Sequence, residues 1–323
     1  MSPLFVAGFD AGQTTCRCRL LRWEPTNPSD GLDEPTLGDG EGSGVSHLDA
    51  EHGEARFIAA INSSLTAARA AAGLPSTAAP LAAVIGASGL EQGTALQGRA
   101  QALMAAALGL PAEHCLATGD ERTALHGAFP NRPGIVLISG TGMIAVGRDD
   151  QGVEARSGGW GWMLDGGGSA FDLGHQGLQL SLRMADGRMA DAPLRHRLWD
   201  ALGCNSAAEI KALVVRPERS VAALAQLAPL VVEAAGHGDH DARRIVQHAA
   251  QALAEAVTAV ATTLALSAPA ISPRGGVLSH LPLMRDLVED ALGERLPGWH
   301  WQQGGGDACA GALALAKGLL RPR

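Results

Sequence analysis

The stretch Phe5–Thr15, FVAGFDAGQTT, runs from an apolar strand into an aspartate, two glycines and two threonines. A second stretch, ISGTGMIAVG at residues 138–147, continues the apolar run Ile135–Ile138 and repeats this arrangement. Glycines let backbone N–H groups approach phosphate oxygens closely, and threonine hydroxyls add donors. We therefore expect two strand–turn–strand loops that hold the phosphates of a nucleotide.

The candidate ligands lie in these two turns. Asp10 is placed to hold a phosphate-bound Mg²⁺, an ion that prefers carboxylate oxygen. Neither familiar nucleotide fingerprint is present, and a single glycine turn after a strand is usually only a hairpin. The occurrence of two such turns favours phosphate binding, with these candidate residues: Gly12, Thr14, Thr15, Gly140, Thr141 and Gly142.

Length and composition restrict the class of protein. A chain of 323 residues predicts two domains, and 46% hydrophobic with 18% charged residues is typical of a globular protein. The formal charge of −8, without a Lys/Arg cluster, argues against nucleic acid as a partner.

The segment Ala252–Ala270 is the most apolar helical stretch, yet it contains Glu255 and three threonines. It predicts a buried helix and no membrane span. No basic-then-apolar leader is visible, and an odd number of cysteines, five, favours a reducing cytoplasm over a disulfide framework. Cys16 and Cys18 alternate on a strand and should share a buried face.

Apolar runs separated by turn residues predict an α/β order of elements. Strands are expected at Leu4–Phe9, Cys16–Trp23, Leu81–Gly86, His114–Thr118, from Gly134 and from Met143, near Val153–Arg156, and near Ala270–Ile271. Helices are expected at Glu54–Ala72, Gly93–Leu108, through most of 169–267, at Leu281–Leu292 and at Ala308–Leu320. Asn27–Gly44, rich in Pro, Gly, Asp and Ser, is expected to be an irregular surface connection. The second hairpin repeats the first, so the chain resembles an internal duplication.

Four segments resemble one family. DAGQTT (10–15), SGTG (139–142), GGWGWMLDGGGSAF (158–171) and RGGV (274–277) occur in the order found in the actin-like sugar kinases. The chain is most similar to N-acetylglucosamine kinases, within the wider group of BadF/BadG-type ATPases, from Phe5 to Lys317.

The resemblance implies two ribonuclease-H-like (actin-like ATPase) domains with an interdomain cleft that closes on sugar and ATP. The expected boundaries are 1–117, completed by the C-terminal helix at 306–321, and 118–305. Dimers are common among similar kinases, so the resemblance allows a homodimer.

The resemblance also implies residue roles. Asp120, in ATGDERTAL, matches the catalytic aspartate, and Gly159 with Trp160 matches part of the sugar pocket. His47 stands where similar kinases carry an Asn-His pair, with Ser46 in place of the Asn. The adenosine segment is matched by Gly275 and Gly276.

Chemistry supports these residue types, although each has a structural alternative. A carboxylate such as Asp120 can orient a sugar hydroxyl and accept its proton; the alternative is a helix N-cap. Trp160, between two glycines, offers a flat wall and an N–H donor to a sugar ring; the alternative is core packing. In GHGDHD (236–241) the structural interpretation is preferred: a solvated loop with Asp241 as a helix cap, and no metal cluster.

One departure from the family pattern lies in the segment expected to bind the sugar, which is the acceptor of the phosphoryl group. Similar kinases read Gly-Asp-Glu-Gly-Ser after GGWG, whereas residues 165–169 here read Asp-Gly-Gly-Gly-Ser. Asp165 is the candidate that partly replaces the missing acids. ATP binding is therefore better supported than specificity for N-acetylglucosamine.

The leading hypothesis is a cytoplasmic, ATP- and Mg²⁺-dependent kinase for a hydroxyl of an amino sugar, with N-acetylglucosamine first. Glucosamine or another hexose derivative is an alternative substrate, and a non-catalytic sugar or nucleotide sensor is an alternative function. An activator-type ATPase is less favoured, because it needs paired cysteines for an iron–sulfur cluster, and Cys115 and Cys204 stand alone.

Overall fold

The chain divides into two compact units in a computed structural model that describes residues 3–24, 35–215, 217–302 and 304–321. The first unit comprises Met1–Arg132 with Gln303–Arg323, and the second comprises Pro133–Gln302. The boundary expected after residue 117 therefore falls inside the first unit, which continues as far as Arg132. The C-terminal segment belongs to the first unit.

The first unit contains a five-stranded sheet in the order β3-β2-β1-β4-β5. The first three strands along the chain pair antiparallel, and β4 and β5 add in parallel beside β1. The strands are β1 Phe5–Ala11, β2 Thr15–Arg22, β3 Thr36–Ser43, β4 Ala83–Ala87 and β5 Cys115–Thr118. The helices of this unit are α1 Gly53–Ala71, α2 Ala95–Leu108, α3 Asp120–Ala128 and the C-terminal α12 Ala308–Leu319.

Strand β3 corrects the prediction of an irregular connection over residues 27–44. Residues 25–34 lie outside the described part of the chain, but Thr36–Ser43 form an edge strand beside β2. Its alternate glycines lie under α1, where a Cβ on Gly40 would come 2.2 Å from the backbone nitrogen of Ala68. Glycine at every second position thus serves close helix–strand packing, and the sequence signal for a loop was misleading.

The second unit contains a sheet of the same form, in the order β10-β9-β6-β7-β8. Again three antiparallel strands come first and two parallel strands follow. The strands are β6 Gly134–Ser139, β7 Met143–Arg148, β8 Glu154–Gly158, β9 Ala270–Arg274 and β10 His300–Trp301. The two sheets therefore share one strand order, as an internal duplication of the chain would produce.

Helices fill the long interval between β8 and β9 and the shorter one between β9 and β10. They are α4 Ala170–Ala185, α5 Pro193–Ala201, α6 Ala207–Val214, α7 Pro217–Ala225, α8 Ala228–Gly236, α9 His240–Thr263, α10 Gly276–His280 and α11 Pro282–Arg295. Their buried faces form one apolar cluster with β6, β7 and β9, including Leu137, Val246 and Leu253 at 0% exposure.

The start of α9 differs from the prediction by two residues. Asp239 is the N-cap, and its side chain accepts hydrogen bonds from the backbone nitrogens of Asp241 and Ala242. Asp241 lies in the first turn, so its assignment as the cap was wrong. Within the described ranges, no group of three or more His, Cys, Asp or Glu side chains is arranged to hold a metal ion.

Among the described residues, no single helix has the length and hydropathy of a membrane span. Only the sharply bent pair Val221–Gly236 and His240–Thr263 reaches that threshold, and only when the two helices are taken together.

All five cysteines are buried free thiols. Cys16 and Cys18 lie on the same buried face of β2, as predicted, and both are fully inaccessible to solvent. Burial raises the pKa of the Cys16 thiol to about 11, which keeps it protonated and unreactive at neutral pH. These cysteines therefore serve as small core residues.

We predict that Gly311→Ala destabilises the first unit at the contact between α3 and α12. A Cβ at Gly311 would lie 1.8 Å from the carbonyl oxygen of Thr123, so a backbone must move. Overpacking of this kind costs about 1–3 kcal/mol. The matched control is Gly318→Ala on the same helix, where a Cβ meets open space. Equal free energies of unfolding for the two variants in urea titrations would contradict this account of the contact.

Candidate active site

The first glycine turn is a closed and braced loop at the β1–β2 hairpin. The backbone nitrogen of Gly12 donates to the carbonyl of Thr15 at 2.9 Å, and that of Val45 donates to the carbonyl of Gly12 at 2.9 Å. Thr14 and Thr15 are exposed at its tip. The loop therefore presents hydroxyls and backbone to solvent from a fixed frame, as phosphate binding requires.

Asp10 forms an ion pair that was not foreseen. It lies opposite Arg17 in the β1–β2 register, and the Arg17 Nη2 donates to the Asp10 Oδ2 at 2.6 Å. The hydrogen bond to Asp10 raises the pKa of Arg17. The sequence contained the signal, because a hairpin that turns at Gly12–Thr14 places residues 10 and 17 side by side.

The pair extends into a wider network through α12. Asp307 caps α12 by accepting from the nitrogen of Ala310 at 2.9 Å, and its two carboxylate oxygens accept from Arg19 at 2.8 and 3.1 Å. It also lies 3.8 Å from Arg17. Burial acts to raise the pKa of Asp307, but the Ala310 N–H and the Arg19 guanidinium outweigh it and hold the pKa below the usual value. Asp307 was likewise missed from sequence.

Asp120 is the first residue of α3, and the N-cap is Gly119. Asp120 is therefore not the N-cap of α3, and the alternative assignment was wrong. Its Oδ1 accepts from the nitrogen of Glu121 at 3.0 Å. Burial raises the pKa of Asp120, the hydrogen bond from Glu121 opposes this, and the negative charge of Asp10 raises the pKa further. A carboxyl with a raised pKa is a better proton acceptor, as a general base should be.

His47 lies between β3 and α1 with an exposed side chain, and its Nδ1 accepts from the nitrogen of Asp49 at 3.2 Å. Its ring passes close to Gly89, where a Cβ would lie 3.5 Å from the His47 Cδ2. The neighbouring Ser46 Oγ is buried and has no hydrogen-bond partner among the described residues. A cavity of ≈ 10 Å³ adjoins it, which is the size of one water molecule.

The second glycine turn lies in the second unit, where three predicted segments meet. The nitrogen of Gly140 donates to the carbonyl of Gly142 at 2.9 Å, and the nitrogen of Ala170 donates to the carbonyl of Gly140 at 2.8 Å. Gly275, at φ 85°, packs against the turn so closely that a Cβ would lie 2.3 Å from the carbonyl oxygen of Ser139. Thr141 is exposed beside it.

This arrangement brings the RGGV segment and the start of α4 to the second glycine turn. Gly276 begins α10 directly after Gly275. The N-terminus of α4 adds a helix dipole whose positive end favours anions. The predicted nucleotide residues of this unit are therefore grouped, although their contacts with a nucleotide remain a prediction.

Trp160 lies in the loop between β8 and α4 and is 60% exposed. The guanidinium of Arg156 lies 4.7 Å from the centre of its ring. The loop takes left-handed backbone conformations at Gly159 and Gly161, with φ 77° and 91°. The core alternative for Trp160 is therefore wrong. Trp162 packs on Phe171, with their ring centres 4.8 Å apart.

A side chain at position 166 or 167 of this loop would meet close neighbours. A Cβ at Gly166 would lie 3.1 Å from the carbonyl oxygen of Trp162, and one at Gly167 would lie 3.0 Å from the Cβ of Ala252. Asp165 is partly buried one position earlier, and its nitrogen donates to the carbonyl of Gly161 at 2.9 Å. The loop is thus packed around glycine at positions 166 and 167.

Comparison with known proteins agrees with the sequence-based assignment. The sequence matches the BadF/BadG/BcrA/BcrD ATPase family over residues 7–313. An N-acetylmuramic acid/N-acetylglucosamine kinase of Clostridium acetobutylicum is 29% identical over 204 residues, which is 62% of this chain and 67% of that protein. An N-acetyl-D-glucosamine kinase of Dictyostelium discoideum is 30% identical over 187 residues, 57% of this chain and 59% of that protein.

Among solved structures, the chain is similar to a crystal structure from Chromobacterium violaceum that is provisionally assigned as an N-acetylglucosamine kinase. The two share 29% identity with a TM-score of 0.76, over 98% of this chain and 100% of the other. The predicted actin-like fold and the predicted relationship to sugar kinases are thereby confirmed. The chain belongs to the BadF/BadG/BcrA/BcrD ATPase family.

Proposed function

We propose that this chain is an ATP-dependent kinase that phosphorylates a hydroxyl of an amino sugar, most directly N-acetylglucosamine. The observation that carries the proposal is the pair of Gly/Thr turns at equivalent hairpins of two sheets with the same strand order. The named relatives support a sugar acceptor, since both curated proteins are kinases of N-acetylated amino sugars.

Asp120 is proposed as the general base. Transfer of a phosphoryl group depends on aligning the acceptor hydroxyl and on neutralising charge at the transferring group. Asp120 is fixed by the first turn of α3, and its raised pKa suits it to take the hydroxyl proton as the new bond forms. Its negative neighbour Asp10 contributes to that raised pKa.

ATP and Mg²⁺ are the proposed cofactors. Mg²⁺ is usually held by one or two carboxylates together with substrate phosphates, so a site does not require a cluster of protein ligands. The Asp10 carboxylate fits such a site, and its bond to Arg17 shows that it already holds a cationic partner. When bound, the ion would neutralise charge on the phosphates.

His47 in the first unit and Gly159, Trp160 and Asp165 in the second unit are the residues proposed to bind the sugar. The exposed indole of Trp160 offers a flat apolar surface, and Asp165 offers an acceptor for sugar hydroxyls. The proposed location is the cytoplasm, in keeping with five reduced, buried thiols. A homodimer is proposed from the resemblance alone.

A coupled ADP-release screen tests the proposal directly. We expect turnover with N-acetylglucosamine or N-acetylmuramate above that with N-acetylmannosamine, glucosamine and glucose. A second candidate, a non-catalytic sensor, is favoured by the absence of carboxylates at Gly166 and Gly167. Sugar binding in calorimetry with no ADP release from any of the sugars would favour the sensor and refute the kinase.

We predict that Asp120→Asn removes sugar phosphorylation while nucleotide binding persists. Loss of a general base costs about 10²–10⁴-fold in turnover. The matched control is Asp286→Asn on α11, an exposed carboxylate that should leave turnover unchanged. Turnover of the Asp120 variant at the wild-type rate would show that another group accepts the proton.

The same variant should be more stable than the wild type near neutral pH. Folding raises the pKa of Asp120, so the stability that this carboxyl contributes is complete below the pKa of the unfolded chain and is lost as pH rises through the folded-state pKa. Asparagine avoids the ionised form. The melting temperature of the ligand-free variant should exceed that of wild type at neutral pH, and the gap should close as the pH is lowered. A gap independent of pH would contradict this explanation.

We predict that Asp10→Asn raises the Mg²⁺ concentration needed for half-maximal activity. A carboxylate that holds a metal ion through water typically accounts for about 10–100-fold in affinity or activity. The matched control is Asp39→Asn, which removes an exposed partner of Arg19 on the same sheet. If both variants required the same Mg²⁺ concentration as wild type, Asp10 would have no part in metal binding.

We predict that Trp160→Ala raises the KM for the sugar by about tenfold, because the apolar wall against the ring is lost. Trp160→Phe should largely restore the KM, since it retains an aromatic face. The KM for ATP serves as the internal control and should not change. An unchanged sugar KM in the alanine variant would remove Trp160 from the substrate pocket.

A further inference from the structure

Arg17 lies beside two carboxylates of the first unit. Its Nη2 donates to the Asp10 Oδ2 at 2.6 Å, and its Nη1 lies 3.8 Å from the Asp307 Oδ2. The Arg17 side chain is 44% exposed, whereas those of Asp10 and Asp307 are 22% and 32% exposed. The guanidinium therefore lies on the solvent side of both acids, where it can move without disturbing the core.

The two carboxylates depend on Arg17 to different degrees. Asp307 accepts two hydrogen bonds from Arg19, at 2.8 and 3.1 Å, and a third from the nitrogen of Ala310. Among the described residues, Arg17 is the side chain that donates a hydrogen bond to the Asp10 carboxylate. Arg17 is thus the counter-ion of Asp10, while Asp307 offers it a second negative neighbour.

The surroundings of Asp10 are acidic. The negative charge of Asp10 raises the pKa of Asp120, so the two carboxylates lie within electrostatic reach of each other. The guanidinium of Arg17 offsets this charge. A divalent ion that binds Asp10 without phosphate would meet that guanidinium at close range, and two cations so near repel each other. Arg17 should therefore weaken the binding of a metal ion that arrives alone.

Phosphate at the first glycine turn would have the opposite effect on Arg17. The turn joins β1 to β2 at residues 12–14, and the pair of Asp10 and Arg17 lies one residue pair away from its end. Oxygens of a phosphate held there would lie within reach of a long, half-exposed arginine side chain. A guanidinium matches phosphate well, since it presents paired donors in one plane.

We propose that Arg17 couples the binding of the divalent metal ion to the binding of nucleotide at the first glycine turn. Arg17 neutralises Asp10 before ligands bind, and it donates to phosphate oxygens once Asp10 contacts the metal ion. The inference rests on the proposed function, because it takes Asp10 as a metal ligand and the turn as a phosphate site. It adds a nucleotide-binding residue and an order of events, in which metal and nucleotide bind well only together.

Mn²⁺ tests the coupling, because it takes the same oxygen ligands as Mg²⁺ and its spin-resonance signal distinguishes free from bound ion. Without nucleotide, Arg17→Gln should bind Mn²⁺ about fivefold more tightly than wild type, since the repelling charge is gone. In EDTA, the same variant should bind the ATP analogue AMPPNP about fivefold more weakly, since a charge-assisted hydrogen bond is lost. Damage to the fold would weaken both ligands, so changes of opposite sign identify the coupling.

Three further variants serve as controls. Arg22→Gln, at the exposed end of β2, makes the same change in net charge and should bind both ligands as wild type does. Arg17→Lys keeps the positive charge and should retain the weak Mn²⁺ binding of wild type. Asp10→Asn/Arg17→Gln should lose the gain in Mn²⁺ affinity, because the ion would bind at Asp10.

An unchanged Mn²⁺ affinity in Arg17→Gln, or changes of the same sign for both ligands, would overturn the inference. A gain in Mn²⁺ affinity that persists in the double variant would place the ion away from Asp10 and would also overturn it. The sugar assay is a separate readout. Opposite shifts without any sugar phosphorylation would refute the kinase and keep the coupling, whereas phosphorylation without the shifts would keep the kinase and refute the coupling.

Discussion

The ion pair between Asp10 and Arg17 is the interaction on which the candidate site depends. The carboxylate of Asp120 lies near enough to Asp10 for the negative charge of Asp10 to raise the pKa of Asp120. The negative charge of Asp10 disfavours ionisation of Asp120, and a cation beside Asp10 relieves this effect. In the ligand-free chain Arg17 supplies that cation at 2.6 Å. Under the proposed function, binding of a metal–nucleotide complex would exchange one positive partner of Asp10 for another.

The sheet explains why these groups meet. Asp10 is paired with Arg17 on one side and with Gly86 of β4 on the other, in adjacent strands. Gly86 leaves room for Thr123 of α3, since a Cβ there would lie 2.2 Å from the Thr123 Oγ1. The helix that begins with Asp120 can thus approach the strand that carries Asp10. Asp10 and Asp120 are brought together because β1 lies beside β4 in the parallel part of the sheet, although they are far apart in sequence.

Much of this was predictable from the sequence, and the failures have physical causes. Apolar runs and glycine turns located both hairpins, because strand periodicity and turn chemistry are local. Strand β3 was missed, because alternate glycines imitate a loop when the helix that covers them is unknown. Arg17 was overlooked although the hairpin register determines it, whereas Asp307 depends on the return of α12 to the first sheet. Contacts between residues so far apart in the sequence leave no signal in the local sequence pattern.

The glycines at 166 and 167 bear on what distinguishes this chain from similar kinases. The residues proposed to bind the acceptor lie in the loop of Trp160, and those proposed for phosphoryl transfer lie on β1 and α3, so the first set can change without altering the second. The glycine loop lacks the two acids expected from the resemblance, and it carries Asp165 and an exposed indole. A sugar with many hydroxyls that lacks hydrogen-bond acceptors at these two positions would still contact an aromatic face and one carboxylate in this loop. Glycine at positions 166 and 167, with both glycine turns and Asp120 present, is therefore a difference expected to affect the choice of sugar and not the proposed transfer of the phosphoryl group.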